Sequence, residues 1–384
     1  MTEWIECTLD KLGEIVGGAT PSTKCEDYYG GSIPWITPKD LSSFKGRYIT
    51  SGERNITEKG LASCSAQMMP KDAVLFTSRA PIGYVAIASQ SVCTNQGFKS
   101  IVVNEKADPL FVYYLLKYNK DAIEAMGSGT TFKEVSGKTM RAVKVRIPLD
   151  VSYQKRIAAV LDSLDTKIEN NERINDNLQQ QAATLFKALF VDLTPFDGTM
   201  PPNWTISTLG DATEMGAGGD KPKESSPVKT PLCPYPIYSN GINDYGLYGY
   251  TNDPKIKVES VTVSARGTIG YVCLRHTPYV PIVRLVTLIP DTKVLSAKYL
   301  YLYLRQLHIT GTGTTQQQLT VPDFRKTEII IPDKNTMDSF TETVTPLFEQ
   351  IWANEDENTK LAEVRDALLP KLMSGEIDVS DIQL

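Results

Sequence analysis

Histidine is nearly missing from this chain: His276 and His308 are the two among 384 residues. Two are too few to build a histidine metal cage or a Ser-His-Asp relay with any redundancy. The six cysteines (Cys7, Cys25, Cys64, Cys93, Cys233, Cys273) form no C-x-x-C pair, and only Cys273 and His276 fall near ligand spacing. Free thiols, no metal site and a reducing compartment are therefore expected. No G-x-x-x-x-G-K-[ST] segment is present, and neither Gly17-Gly18 nor Gly216-Ala217-Gly218-Gly219 completes G-x-G-x-x-G, so the common phosphate cradles are excluded. The Asn-Pro-Pro-Tyr type of tetrapeptide that marks an amino-methyltransferase is missing too, because Pro201-Pro202 runs on into Asn203-Trp204. No run of eighteen apolar residues exists, and the opening Met1-Thr2-Glu3-Trp4-Ile5-Glu6-Cys7 lacks the basic-then-apolar pattern of a secretion signal. The expectation is a cytoplasmic, non-catalytic protein without a cofactor of its own.

What is present is a repeat. Leu161, Leu164, Ile168, Asn171, Asn175, Leu178, Ala182, Leu185 and Leu189 follow one another in alternating steps of three and four, as a coiled-coil seam requires. A shift of 183 residues gives Val344, Leu347, Ile351, Asn354, Asn358, Leu361, Arg365, Leu368 and Leu372 with the same steps and both asparagines in register. One such stripe alone would leave its leucines in water, so each helix is the other's expected partner. An antiparallel pair brings the end of the chain back towards its beginning. Some 35 residues at about 1.5 Å each make a rod of roughly 50 Å. Mid-seam asparagines can bond across the pair, at some cost in stability and with a gain in register.

The segments before each helix repeat as well. Leu12-Gly13-Glu14 corresponds to Leu209-Gly210-Asp211, and Thr77-Ser78-Arg79-Ala80-Pro81-Ile82-Gly83-Tyr84-Val85 to Ser264-Ala265-Arg266-Gly267-Thr268-Ile269-Gly270-Tyr271-Val272. Gly127-Ser128-Gly129-Thr130-Thr131 corresponds to Gly311-Thr312-Gly313-Thr314-Thr315, and Ile147-Pro148 to Ile331-Pro332. Short apolar runs broken by Gly, Pro and Asn predict strands, and an Asp-Pro start predicts a helix over 109–126. The predicted fold is α+β: two mixed α/β domains, residues 1–152 and 193–336, separated by long antiparallel helices at 153–192 and 337–384 in a pseudo-twofold repeat.

Net charge is −5, yet residues 338–384 alone carry −8, leaving +3 on residues 1–337. Residues 126–156 hold seven basic and two acidic side chains, among them Lys133, Lys138, Arg141 and Lys144. Such an excess suits a phosphate backbone, and equally suits a solvated surface strip. Arg79 and Arg266, each on a turn, could fork two donors to guanine; each could as well pair a carboxylate. The Thr130-Thr131 and Thr314-Thr315 loops offer hydroxyls and amides for phosphate, or simply end helices. After these loops come Lys133 and Lys138 in the first copy but Gln316, Gln317 and Gln318 in the second, where lysine favours phosphate or guanine and glutamine can bond adenine bidentately; Lys99 is a further candidate DNA contact. Tyr238 and Asn240 belong to an amide and tyrosine cluster that is candidate DNA surface or ordinary packing.

Taken in order, these motifs resemble the specificity subunits of type I restriction-modification systems. The resemblance rests on Gly17-Gly18-Ala19-Thr20-Pro21-Ser22, Ile33-Pro34-Trp35-Ile36, Ser78-Arg79, the loop at 127–133, Gln154-Lys155-Arg156-Ile157, Tyr235-Pro236-Ile237-Tyr238-Ser239-Asn240-Gly241 and the run from Leu368 to Ile377. It implies two target recognition domains, each reading half of a split site in double-stranded DNA, and helices that set the spacing. It also implies two adenine-methyltransferase modification subunits using S-adenosylmethionine, and restriction subunits using ATP and magnesium, so that all cofactors belong to partners. Three departures stand out: the second helix lacks the Gln-Lys-x-Ile opening, Pro370 is expected to kink or end it, and Arg365 replaces Ala182. A type II specificity subunit of the same plan, a coiled-coil scaffold without a DNA role, and a self-sufficient enzyme are the other readings. Inserting four residues beside Asn175 should lengthen the preferred spacer and leave both half-sites unchanged, which selection from randomised DNA would test; unchanged spacing would count against the helical ruler.

Overall fold

The computed structural model describes residues 3–129, 133–311 and 318–382. They form two compact units, one of residues 1–172 with 355–384 and one of residues 173–354. In the first unit the strands run β1 (Trp4–Thr8), β2 (Gly13–Gly17), β3 (Tyr29–Ile36), β4 (Tyr48–Ile49), β5 (Arg54–Ile56), β6 (Val74–Ser78), β7 (Ile82–Ala88), β8 (Cys93–Thr94), β9 (Lys99–Val103) and β10 (Lys144–Pro148). A five-stranded sheet has the order β2-β9-β6-β7-β4, a three-stranded sheet has β5-β3-β8, and β1 pairs with β10. The sequence of β6, Val-Leu-Phe-Thr-Ser, shows why it is central. All five residues are buried, with Val74 and Phe76 in one apolar cluster and Leu75 in another, so both faces of the strand are covered. Helix Pro109–Tyr118 starts on Pro after Asp108, whose carboxylate accepts the Phe111 amide at 3.0 Å, and buries Phe111, Val112 and Tyr114 against the sheet.

The second unit repeats this plan with β11 (Thr205–Thr208), β12 (Thr213–Ala217), β13 (Ser225–Ser226), β14 (Tyr235–Tyr238), β15 (Leu247–Thr251), β16 (Ser260–Ser264), β17 (Val272–Arg275), β18 (Val280–Pro281), β19 (Leu285–Pro290) and β20 (Glu328–Ile331). The orders β12-β19-β16-β17 and β13-β15-β14-β18, with β11 paired to β20, follow those of the first unit, apart from β4 in the first unit and β13 in the second. Even the one parallel pair of the smaller sheet recurs, β3 with β8 and β14 with β18. Helix Ala297–Gln306, capped by the Ser296 hydroxyl at 3.2 Å from the Tyr299 amide, stands where Pro109–Tyr118 stands in the first unit. Among the described residues the second unit shows no counterpart of β4.

The long helices are Val151–Phe186, followed by a π-helical turn over Lys187–Val191, and Lys334–Ser374. Each contributes one half to each unit, and within each unit the halves pair antiparallel. In the first unit the Asn171 side-chain amide donates to Asn358 at 2.9 Å and to Glu357 at 2.6 Å, while Arg365 meets Asp165 at 2.7 Å. In the second, Asn354 donates to Asn175 at 2.7 Å and Asn175 to the Ile351 carbonyl at 3.3 Å. The predicted asparagine layers are therefore hydrogen-bonded across the seam.

Toward the ends of the helices the seam departs from a strict seven-residue repeat. Leu185, expected in the seam, is 37% exposed, and Phe186 is 1% exposed in its stead. Leu189 is likewise only half-buried beside Phe190, Leu164 beside Asp165, and Leu347 beside Phe348. A straight helix drifts relative to a 3.5-residue repeat, and here the apolar stripe turns by one residue to meet the domain. Phe186 and Phe190 pack on Tyr299 and Phe340. Ile168, Leu178, Leu361 and Leu368 are half-buried, whereas Leu161, Ile351 and Leu372 are buried as expected. Pro370 does not end its helix. It lies exposed four residues before the terminus, which is made by Gly375 with a left-handed φ of 78°.

The stretch after that turn returns to the first domain. The Tyr153 hydroxyl donates to Asp378 at 2.8 Å and accepts from the Val379 amide at 3.2 Å; Arg156 reaches the Ser380 carbonyl at 2.9 Å and Arg146 that of Ser374 at 3.1 Å. The Gln154 side chain is buried, donating to the carbonyls of Pro148 (2.9 Å) and Lys106 (3.2 Å) and accepting from the Asp108 amide (3.0 Å). It ties the first turn of the long helix to the exit strand and to the start of helix Pro109–Tyr118.

Asp165 is held from two sides, by Arg365 and by the Tyr114 hydroxyl at 2.7 Å. Burial, then the Asp165 charge, raises the Tyr114 phenol far above the ordinary tyrosine range. Asp165→Ala would take from Arg365 one of its two carboxylates, Asp366 remaining at 2.8 Å, and from the buried Tyr114 hydroxyl its Asp165 acceptor, costing about 3 kcal/mol, whereas the double change Asp165→Leu, Arg365→Leu leaves only the hydroxyl unpaired and should cost at least about 1 kcal/mol less. Chemical denaturation of the single and double variants measures the difference.

Candidate nucleic-acid interface

In the first domain the sheet strands β6 and β7 are joined by a turn that carries Arg79. The turn is pinned on both sides. Ser78 donates its amide to the Gly97 carbonyl at 2.7 Å and accepts the Val135 amide at 2.9 Å, and Thr77 accepts the Tyr84 amide at 2.8 Å. Ala80 has φ 47° and precedes a cis Pro81. Gly83, at φ 98°, lets the Lys120 stem cross so close that an added Cβ would stand 2.5 Å from it. The bonds of Thr77 and Ser78 hold the end of β6 from which Arg79 is presented.

Its guanidinium stands 3.6 Å from the Glu134 carboxylate, and the Lys99 ammonium lies 3.5 Å from the same group. The Glu134 and Ser128 backbones bond each other in both directions, at 2.9 and 3.0 Å. The fold thus brings Arg79 and Lys99 together around one acid, with Lys133 next to it in the chain; Lys133 and Lys138 are exposed. Thr130 and Thr131 lie outside the described residues. Glu134 had stood out in the sequence only as one of two acids in a basic stretch, because its partners come from β9 and a distant turn. The Gly17–Ser22 motif serves the neighbouring sheet, where the carbonyls of Ala19 and Pro21 accept from Trp35 (3.0 Å) and Tyr29 (2.8 Å).

In the second domain Arg266 occupies the same position after β16, but a different device holds it. The Asn240 side-chain amide donates to the Arg266 carbonyl at 2.7 Å, and the Asn240 carbonyl accepts the hydroxyls of Thr268 (2.8 Å) and Ser264 (3.2 Å). The Arg266 side chain is half-buried, and no partner of its guanidinium is seen among the described residues. Tyr238 faces inward: the Arg275 guanidinium lies 3.6 Å from its ring centroid, and Arg275 in turn donates to Thr262 (2.9 Å) and to the Tyr245 carbonyl (2.7 Å). Burial raises the Tyr238 phenol against the opposing pull of Arg275. Asn240 therefore braces the turn, while Tyr245 and Tyr248 are about half exposed and Lys221 sits 5.2 Å over the Tyr248 ring. Thr314, Thr315, Gln316 and Gln317 lie outside the described residues; Gln318 is the first residue after them.

Among the described residues no group of three His, Cys, Asp or Glu side chains is placed to hold a metal ion, and no helix is long and apolar enough to cross a membrane. A mixed α/β domain followed by a long helix, both duplicated, with an arginine-bearing turn in each copy, defines a helix-framed binding protein built for two related contacts.

The comparisons with known proteins make that class specific. The family model of the type I restriction modification DNA specificity domain matches residues 1–180 and again 201–363. Over 415 aligned positions the chain is 34% identical to the type I restriction enzyme MjaIX specificity subunit of Methanocaldococcus jannaschii, covering 99% of this chain and 95% of that one. It is 25% identical over 370 positions to the type I restriction enzyme HindI specificity subunit of Haemophilus influenzae, covering 73% and 80%. The crystal structure of the type I restriction-modification S subunit from M. genitalium has the same fold, with a TM-score of 0.62 at 17% identity over 97% of this chain and 96% of that one. The chain belongs to the type I restriction-modification specificity subunits, and DNA recognition is the role that follows from the family.

Glu134 offsets the positive charge of Arg79 and Lys99. Glu134→Gln should tighten sequence-independent duplex binding and steepen its dependence on log salt by about one to two ions, whereas Arg79→Ala should do the reverse. Anisotropy titrations at several salt concentrations read both slopes.

Proposed function

We propose that this chain is the reading subunit of a type I restriction-modification complex, in which each of its two domains recognises one half of a split site in double-stranded DNA. One observation carries the reading: a single domain topology occurs twice, each copy with its arginine turn and its own stretch of paired helix. Two readers of one design but different surface residues suit two half-sites of different sequence. In the first, Arg79 addresses guanine, with Lys99, Lys133 and Lys138 on the neighbouring phosphates; in the second, Arg266 has the same task and Gln316 and Gln317 address adenine. Thr130, Thr131, Thr314 and Thr315 supply phosphate contacts.

The helical stretch between the readers sets the spacing of the half-sites. A 36-residue helix rises about 54 Å, ample for half-sites roughly one turn of duplex apart. The chain transfers no group itself. Two modification subunits, adenine methyltransferases that bind S-adenosylmethionine, dock on it, and restriction subunits supply ATP- and magnesium-dependent translocation and cleavage. The setting is the cytoplasm, and the role is host defence. Methylation of adenine requires the base to leave the stack, so the assembled complex distorts the duplex that this chain selects.

The test is single-base mapping of methylated adenine in the source genome, with and without this chain. The expected result is a split motif, methylated on both strands, that vanishes on deletion and is restored by re-expression. A methylation pattern that survives deletion, or methyl transfer by the purified chain alone, would defeat the reading.

A further inference from the structure

Arg47 is the most heavily bonded side chain described in the first unit, and none of its bonds belongs to the recognition turn. Only 6% of its side chain is exposed, yet it lies on a connection between elements of the domain. Its guanidinium donates to the Asp162 carbonyl at 2.9 Å and to the Asp162 carboxylate, to Thr166 at 2.8 Å and to both Glu169 oxygens at 3.2 and 3.0 Å; its backbone amide also reaches Glu169, at 3.2 Å. All three acceptor residues sit on one face of helix Val151–Phe186.

The 183-residue repeat places Trp352 where Glu169 stands. In the second unit Trp352 also receives the domain, through different chemistry. His276 stacks on its ring with centroids 4.0 Å apart and planes 16° from parallel, and the Lys298 ammonium, bonded to Glu259 at 2.9 Å, lies 5.5 Å from the ring centre. The strand that is gripped is the same in both units. The Arg47 carbonyl accepts the Ile87 amide at 2.7 Å, and the adjoining β4 pairs with the end of β7, the strand that begins just past the Arg79 turn. His276 directly follows β17, the strand after the Arg266 turn. Each contact thus joins the helix to the far end of the strand that leads away from the arginine.

We propose that helix positions Glu169 and Trp352 are orientation clamps, which fix the angle of each recognition turn on its own stretch of helix, with Arg47 and His276 as the positioning residues that engage them. The inference rests on the split-site reading above. Its physical basis is leverage. The hydrophobic cores hold each domain to its helix, but apolar contacts are non-directional, whereas a guanidinium forked to three residues of one helix, or a stacked ring, admits one angle. Among the described residues the second unit shows no strand in the place of β4, which Arg47 directly precedes, and this goes with the change from an ionic to an aromatic clamp at the same helix position.

The complete chain, assembled with its modification subunits, would be used to select from DNA libraries with randomised half-sites and a variable spacer. Arg47→Lys keeps the charge and loses the fork; Trp352→Leu keeps an apolar side chain and loses the stack. Both variants should select the wild-type half-sites but accept spacers one base pair longer or shorter at least tenfold more often than wild type, with denaturation midpoints showing a folded protein. Retention of the wild-type spacer distribution by both variants, or a uniform loss of binding at every spacer, would overturn the clamp. Should the lysine variant fail to fold, the leucine variant decides alone. A wild-type complex that selects no split site at all would instead overturn the function proposed above.

Discussion

The arrangement of this chain depends on amides that must find each other. Asn171 and Asn175 on one helix, and Asn354 and Asn358 on the other, sit where a coiled coil normally places leucine, and each is hydrogen-bonded across its pair. A buried amide left unpaired costs about 1–3 kcal/mol, so sliding one helix by a turn would cost several such terms together. Leucine against leucine would tolerate the slip. The pair Asn171 with Asn358 becomes Asn354 with Asn175 under the 183-residue shift, so one rule of pairing serves the helix halves of both units.

Around that shared rule the two units have diverged wherever divergence leaves the pairing intact. The seam holds an ion pair, Asp165 with Arg365, in the first unit; the equivalent places in the second are Phe348 and Ala182, both buried. A salt bridge of this kind need not be more stabilising than an apolar pair of similar volume, so the exchange alters the chemistry of a layer more than the strength of the frame. The arginine turns follow the same logic, Arg79 facing the carboxylate of Glu134 and Arg266 held through its carbonyl by Asn240. A turn held through its backbone carbonyl spends none of the guanidinium's donors on that hold, whereas a guanidinium facing a carboxylate has its charge partly offset before any ligand arrives.

The repeat, the heptad steps and the register of the two arginines were all legible in the sequence, because each is a local pattern or a fixed offset. The phase of the seam near the helix ends was not. Leu185 and Phe186 are both apolar, and the choice between them is made by Tyr299 and Phe340, which no spacing along the helix reveals. Glu134 and Arg47 went unread for the same reason: their partners come from separate parts of the fold, and Glu169 is 122 positions from Arg47. Pro370 was legible as a helix breaker by propensity, but its exposed position near the helix end lets the helix continue to Ser374 with one donor missing. Tyr238 shows the reverse case, a residue of candidate binding chemistry whose ring is occupied by Arg275.

These features separate what must be shared from what can vary. Substitutions at exposed positions on a braced turn are usually worth less than about 0.5 kcal/mol to the fold, whereas those in a buried polar layer are worth several times that. Arg79 and Lys133 are exposed or nearly so, and Ser78, which carries the backbone of the turn, is fully buried. Change can therefore accumulate on the surface of the turn while the strand beneath is held constant by its two covered faces. Asn240 has a part in the frame as well: its amide is bonded to the Arg266 carbonyl, so replacing it would free the backbone of that turn.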